Sequence, residues 1–211
     1  DPARNSPISP QNVRCMVGDR SEGLGFLLEI FEQTGLEATF FVETLQYAFF
    51  GHEPMGELAR LIHESGHDAQ LHLHPVWTYF DRPGSKDRLA TEKPRDSLHG
   101  RLTSEVLSGL RRGQESFQRW GLPAPIALRT GNLMVNFAVS RAMAQAGPKV
   151  ESNVGRAVFE PEEQALRLDA GVHLVEGVIE IPALSCSDIG FGTGIRRKCL
   201  TITGSSLGEA R

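Results

Sequence analysis

The stretch that decides the fold runs Ala38-Thr39-Phe40-Phe41-Val42-Glu43, then Met55-x-x-Leu58-x-x-Leu61-Ile62, then Ser65-Gly66, then Ala69-Gln70-Leu71-His72-Leu73-His74. The first segment is short, apolar and rich in β-branched or aromatic residues, as buried strands are, and the last is a short run with leucines at alternate positions; the middle one repeats its apolar positions every three or four residues, as a helix does. A strand, a helix and a second strand in this order make a parallel βαβ unit. The pattern extends in both directions. Upstream, Val13–Val17 reads as a first buried strand ending at Gly18-Asp19, and Leu24, Leu27, Leu28 and Phe31 mark a helix that Gly35 ends in a left-handed cap. Downstream come a charged connection from Tyr79 to Arg101, a helix from Thr103 to Trp120, a strand at Ile126–Leu128, a helix carrying Val135, Val139, Ala142 and Ala146, and a strand at Val150–Val154. Val172–Val175 and Val178–Ile181 flank Glu176-Gly177 as a hairpin or two separate strands, and Gly190-x-Gly192-x-Gly194, without a following Lys and helix, reads as a flexible turn.

Repeated βα units predict an α/β fold with a parallel sheet, closed as a barrel or open and doubly wound. The 211 residues fit a single domain over 13–211 behind a disordered or extended segment at 1–12. In such folds chemistry gathers where strands end. That rule selects Asp19, Glu43, His72 with His74, and Arg129.

Composition excludes several classes of function. Lys and Arg number 22 against 26 Asp and Glu, so the net charge of −4 offers no general field for nucleic acid. No apolar run approaches the roughly 18 residues that span a bilayer. Three cysteines, Cys15, Cys186 and Cys199, without a CxxC spacing, argue against a disulfide scaffold and a cysteine zinc cluster. The polar first twelve residues contain no signal-peptide apolar region, which favours the cytoplasm over the periplasm.

Two metal motifs overlap between His63 and His74. His63-Glu64-Ser65-Gly66-His67 is formally the HExxH of zinc peptidases, but that chemistry needs one unbroken helix, and Gly66 reads as a helix end. The other motif is His72-x-His74. Residues i and i+2 of a strand project to one face about 7 Å apart, so both imidazoles can share a cation, with a strand-end carboxylate from Asp19 or Glu43 completing the site.

Gly35-Leu36-Glu37-Ala38-Thr39-Phe40-Phe41-Val42, Gly66-His67-Asp68 with His72, and Ala127-Leu128-Arg129-Thr130-Gly131-Asn132 together resemble the polysaccharide deacetylases, the NodB-homology domains of carbohydrate esterase family four. The likeness runs from about Val13 to Gly155. The Leu71-His72-Leu73-His74-Pro75 form is similar to a subgroup tied to bacterial surface polysaccharide loci, and so to lipopolysaccharide biosynthesis. What the resemblance implies is a distorted (β/α) barrel of about seven strands that continues past the C-terminal residue given, a divalent metal, usually zinc, and hydrolysis of the N-acetyl amide of a sugar. On it Asp19, His72 and His74 become the metal ligands. Arg129 matches an arginine that orients the catalytic base, yet the base itself falls on Gly18, which cannot serve; Glu43 is the expected replacement. Asn132 is an expected sugar contact, and Trp77 and Tyr79 offer aromatic faces for a pyranose ring. The second reading is a degenerate barrel that binds glycan without cleaving it, and the zinc peptidase is the third.

Overall fold

The computed structural model describes residues 10–88, 91, 92, 94–190 and 194–199. The chain forms two compact units, one of Asp1–Asp96 with Ser108–Ile126, the other of Ser97–Leu107 with Ala127–Arg211.

The first unit opens with a 3-10 turn at Pro10–Arg14 and a small antiparallel hairpin, β1 (Met16–Val17) and β2 (Arg20–Ser21). The expected buried strand at Val13–Val17 is therefore corrected. Cys15 (φ 44°) and Gly18 (φ 61°) turn the backbone twice within four residues, and the run stays at the surface, with Val17 68% exposed. Helix α1 (Leu24–Thr34) buries Leu24 and Leu28 and stops at Gly35, whose φ of 66° lets the Leu36 amide return to the Phe31 carbonyl. Then follow β3 (Thr39–Glu43), a short helix α2 (Tyr47–Phe50), α3 (Glu53–Glu64) and β4 (Asp68–Leu73). β3 and β4 pair in parallel from Thr39↔Asp68 to Glu43↔His72, which realises the βαβ unit read from the sequence.

Helix α3 presents Met55, Leu58, Ala59 and Ile62 to the core. It ends where Gly66 adopts φ 81° and the His67 amide bonds the Ile62 carbonyl. This break disposes of the HExxH geometry: His63 and Glu64 are exposed on the last turn, while His67 lies beyond it, its ring edge-on to Phe31 at 5.4 Å. After β4 the chain winds through a 3-10 segment at Pro75–Asp81 and a single turn, α4 (Ser85–Arg88). Helix α5 (Thr103–Arg119) contributes its later residues to this unit. It lies close against the strands because Gly113 has no side chain; a Cβ there would come within 2.9 Å of both Leu71 Cδ2 and Thr44 Oγ1.

The second unit contains β5 (Ala127–Thr130), α6 (Phe137–Ala146), β6 (Val150–Glu151), β7 (His173–Val175) and β8 (Val178–Glu180). β5, β6 and β8 run parallel, and β7 pairs antiparallel with β8 across a turn in which Glu176 (φ 49°) and Gly177 (φ 83°) both take left-handed backbone. That pairing selects the hairpin of the two options left open by the sequence. β6 is shorter than the expected strand to Val154 because the Asn153 and Val154 amides turn to the Glu180 carboxylate. An antiparallel hairpin of β9 (Ser185–Gly190) and β10 (Gly194–Cys199) follows. The turn read at Gly190–Gly194 rests partly on residues outside those described, as does most of the segment 1–12. Among the described residues no helix is long and apolar enough to cross a membrane.

The α5 packing yields a stability test. Gly113→Val should lower stability by about 2 kcal/mol, since Leu71 is fully buried and cannot give way. Gly109→Ala, on the same helix with open space around it, should raise stability by about 0.5–1 kcal/mol, as chemical denaturation can measure.

Candidate metal centre

Three ligand-bearing side chains meet at the ends of β3 and β4. Parallel register sets Glu43 beside His72. His74, two residues on, turns its ring to the same side, 4.8 Å from the His72 ring between centroids. One ligand atom each from Glu43, His72 and His74 lies within 4.8 Å of the others. Two imidazoles and a carboxyl form a donor set suited to zinc and similar divalent ions, so the residues present fit the group that the sequence implied.

Backbone and outer side chains fix this arrangement. The Leu45 amide donates to Glu43 Oε1 at 2.8 Å and the His74 amide to Oε2 at 3.0 Å, so the carboxyl is clamped by both strands. His74 Nδ1 lies 2.6 Å from Asp96 Oδ2. A carboxylate on Nδ1 holds the proton there and leaves Nε2 as the coordinating nitrogen, the usual outer support of a metal-bound histidine. Burial drives the Glu43 carboxyl up to about 8, against the His74 charge and the two amides that pull it down. Burial pushes His74 down, but the Asp96 hydrogen bond and the Glu43 and Asp96 charges outweigh it and leave its pKa raised.

The other expected site residues are placed differently. Asp19 occupies the exposed β1–β2 turn and is not among the converging donors; the hairpin that replaced the first strand carried it there. Trp77 and Tyr79 are only 4% and 6% exposed, and Trp77 packs into a ring cluster with Phe49, Phe50 and Phe80. Side chains turned into that core offer no open face to a sugar. Arg129, in the second unit, donates to the Ser152 carbonyl at 3.1 Å and the Ser152 hydroxyl at 3.3 Å, and burial lowers its pKa against the charge of Glu180. Asn132 is exposed on a segment where both it (φ 62°) and Leu133 (φ 52°) hold left-handed backbone, uncommon for residues with side chains.

Sequence reasoning missed a second cluster of acids at strand ends. Glu151 and Glu180 are register partners in β6 and β8, both fully buried. Glu151 accepts from Ser140 Oγ at 2.6 Å and Asn153 Nδ2 at 2.9 Å. Glu180 accepts the Asn153 and Val154 amides at 3.0 Å, and burial, together with the neighbouring Glu151, pushes it up to about 8. Their position at the ends of Val150–Glu151 and Val178–Glu180 was the same signal that selected Glu43. Asp96, inside a charged connection, carried no such signal.

Among known proteins, no family profile matches the chain and no curated protein matches it. Solved structures are similar to it, among them the following two. A Mycobacterium smegmatis protein assigned as a polysaccharide deacetylase shares 18% identity, with a TM-score of 0.49 over 74% of this chain and 43% of its own. A family 4 carbohydrate esterase from Streptomyces lividans, in complex with acetate, shares 21% identity, with a TM-score of 0.41 over 61% of this chain and 54% of its own. The chain thus spans about half the length of these structures. Likenesses this distant carry no argument about activity, which rests on the side chains above. What the structure defines is a class: an α/β protein, rich in parallel strand pairing, with a two-histidine, one-carboxyl donor set at its strand ends.

Protonation of the buried acids sets the pH response of the metal-free protein. In the unfolded chain Glu43 and Glu180 lose their protons near 4.5; in the folded chain they keep them to about 8. Folding therefore takes up protons in that interval, and stability falls as pH rises from about 5 to about 8. The raised pKa of His74 acts in the same direction. Thermal melts of metal-stripped protein should show Tm falling across this range, and Glu180→Gln, which keeps an acceptor for the two amides, should flatten the fall.

Proposed function

We propose that the protein is a metal-dependent deacetylase that hydrolyses the N-acetyl amide of a sugar in a bacterial surface polysaccharide, on a (β/α) barrel of the NodB type. The observation that supports this reading most is the convergence of Glu43, His72 and His74 within 4.8 Å. Zinc is the expected ion. Bound there, it would polarise the acyl oxygen and bring the pKa of a water toward about 7.

The chain supplies the rest. His72 and His74 hold the ion through ring nitrogens, and Glu43 completes the set that the sequence had offered to Asp19. Asp96 fixes the His74 tautomer, so its effect is on positioning. In this reading Glu43, the replacement base expected from the sequence, is taken up as a ligand instead. Asn132 is exposed in the second unit and is given no part in this centre. Arg129 serves the second unit, where it braces Ser152 beside Glu180.

The placement of Asp19 in an exposed turn favours one alternative, a glycan-binding protein without hydrolysis. Acetate release from N-acetylated oligosaccharides by the zinc-loaded protein decides between the two: release supports the deacetylase, and oligosaccharide binding without release supports the alternative.

Zinc titration by calorimetry should give one ion per chain, none in a His72→Ala, His74→Ala double variant, and an affinity about 10- to 100-fold weaker in Asp96→Asn. Because Glu43 and His74 must surrender protons to coordinate, affinity should fall as the pH is lowered from about 8. Full zinc retention by the double variant would contradict the assignment.

A further inference from the structure

Beside the donor set lies a cavity of about 410 Å³ with Leu24, Phe40, Val42, Met55, Leu58 and Ile62 in its wall. Glu43 and His72 of the donor set line the same cavity. So does Gln46, whose amide oxygen is buried and has no hydrogen-bond partner among the described residues. A buried acceptor left in this state calls for a donor, which a water or a ligand can supply. The wall thus combines one acceptor and two of the candidate metal ligands with an otherwise mostly apolar lining. An N–H next to a hydrocarbon chain has this pattern; an acetyl group, with one methyl, leaves nearly all of the apolar wall unfilled.

We propose that this cavity is an acyl-binding site for N-acyl sugars whose chains are much longer than acetyl. It rests on the reading of the neighbouring cluster as an amide-hydrolysing centre. An apolar cavity of about 150 Å³ holds a benzene ring, so 410 Å³ accommodates a chain on the order of eight to twelve carbons. The amide N–H donates to Gln46 Oε1, and the chain lies between α1, β3 and α3. Hydrolysis then forms a bond from the water oxygen to the acyl carbon and breaks the C–N bond; both of the water's protons end on the departing nitrogen, leaving a fatty carboxylate and the ammonium form of the amino sugar. No oxidant or further reactant enters the balance.

The test compares N-octanoylglucosamine with N-acetylglucosamine on the full chain. Each methylene transferred from water tightens binding by about fourfold, so the octanoyl sugar should bind the metal-free protein at least about 100-fold more tightly in calorimetry. Leu58→Trp, which fills the cavity, should remove that preference; Leu24→Phe, a smaller intrusion, should reduce it if the tryptophan variant does not fold. Equal affinity for the two sugars, or a preference untouched in both filled variants, overturns the proposal. With zinc present, cleavage of the acetyl sugar but not the octanoyl sugar also overturns it while sparing the deacetylase reading. Tight octanoyl binding with neither sugar cleaved supports the acyl site and defeats the hydrolytic reading.

Discussion

The Glu43↔His72 register pair is the constraint on which the rest of the site depends. Parallel pairing of β3 and β4 leaves no freedom in where a carboxyl and an imidazole meet, and the period-two geometry of a strand then adds His74 on the same side. A slip of one residue would turn both histidines to the opposite face. Because Leu71 and Leu73 between and beside them are fully buried, such a slip would also expose the core. The hydrophobic pattern that selects the register therefore also assembles the donor set.

Burying a carboxyl is costly unless charge or hydrogen bonds compensate. Here two backbone amides and a histidine backed by Asp96 compensate only in part, which is why the Glu43 carboxyl is held so far above its ordinary range. A divalent cation is the partner that would reverse this, favouring the charged form of the acid and the neutral imidazoles together. The second unit solves a comparable problem differently. Glu151 and Glu180 stand side by side, yet hydroxyl, amide and backbone donors surround them, and among the described residues they form no metal-capable group with a histidine. The same strand-end logic thus yields a candidate metal centre in one unit and a buried structural network in the other.

The sequence made β3, α3, β4 and α5 legible because each has a strong periodicity and a glycine or charged boundary. It brought out the histidine pair because two imidazoles on one strand admit few arrangements. It misled where local backbone overrode composition. Val13–Val17 is apolar enough for a buried strand, but the left-handed residues Cys15 and Gly18 fold it into an exposed hairpin, and Asp19 goes with it. Trp77 and Tyr79 read as platforms only because their partners, contributed by Phe49, Phe50 and Phe80, are brought to them by tertiary packing. Asp96 was invisible for a related reason: its partner, His74, is 22 residues away across an irregular connection.

If the donor set works as a unit, Glu43, His72 and His74 bind one cation together. Anomalous diffraction at the zinc edge from crystals grown with zinc tests it most directly. A single strong peak is expected about 2.0–2.2 Å from a ring nitrogen of each histidine and from a Glu43 oxygen. A peak held by other residues, or none at this cluster, would contradict it.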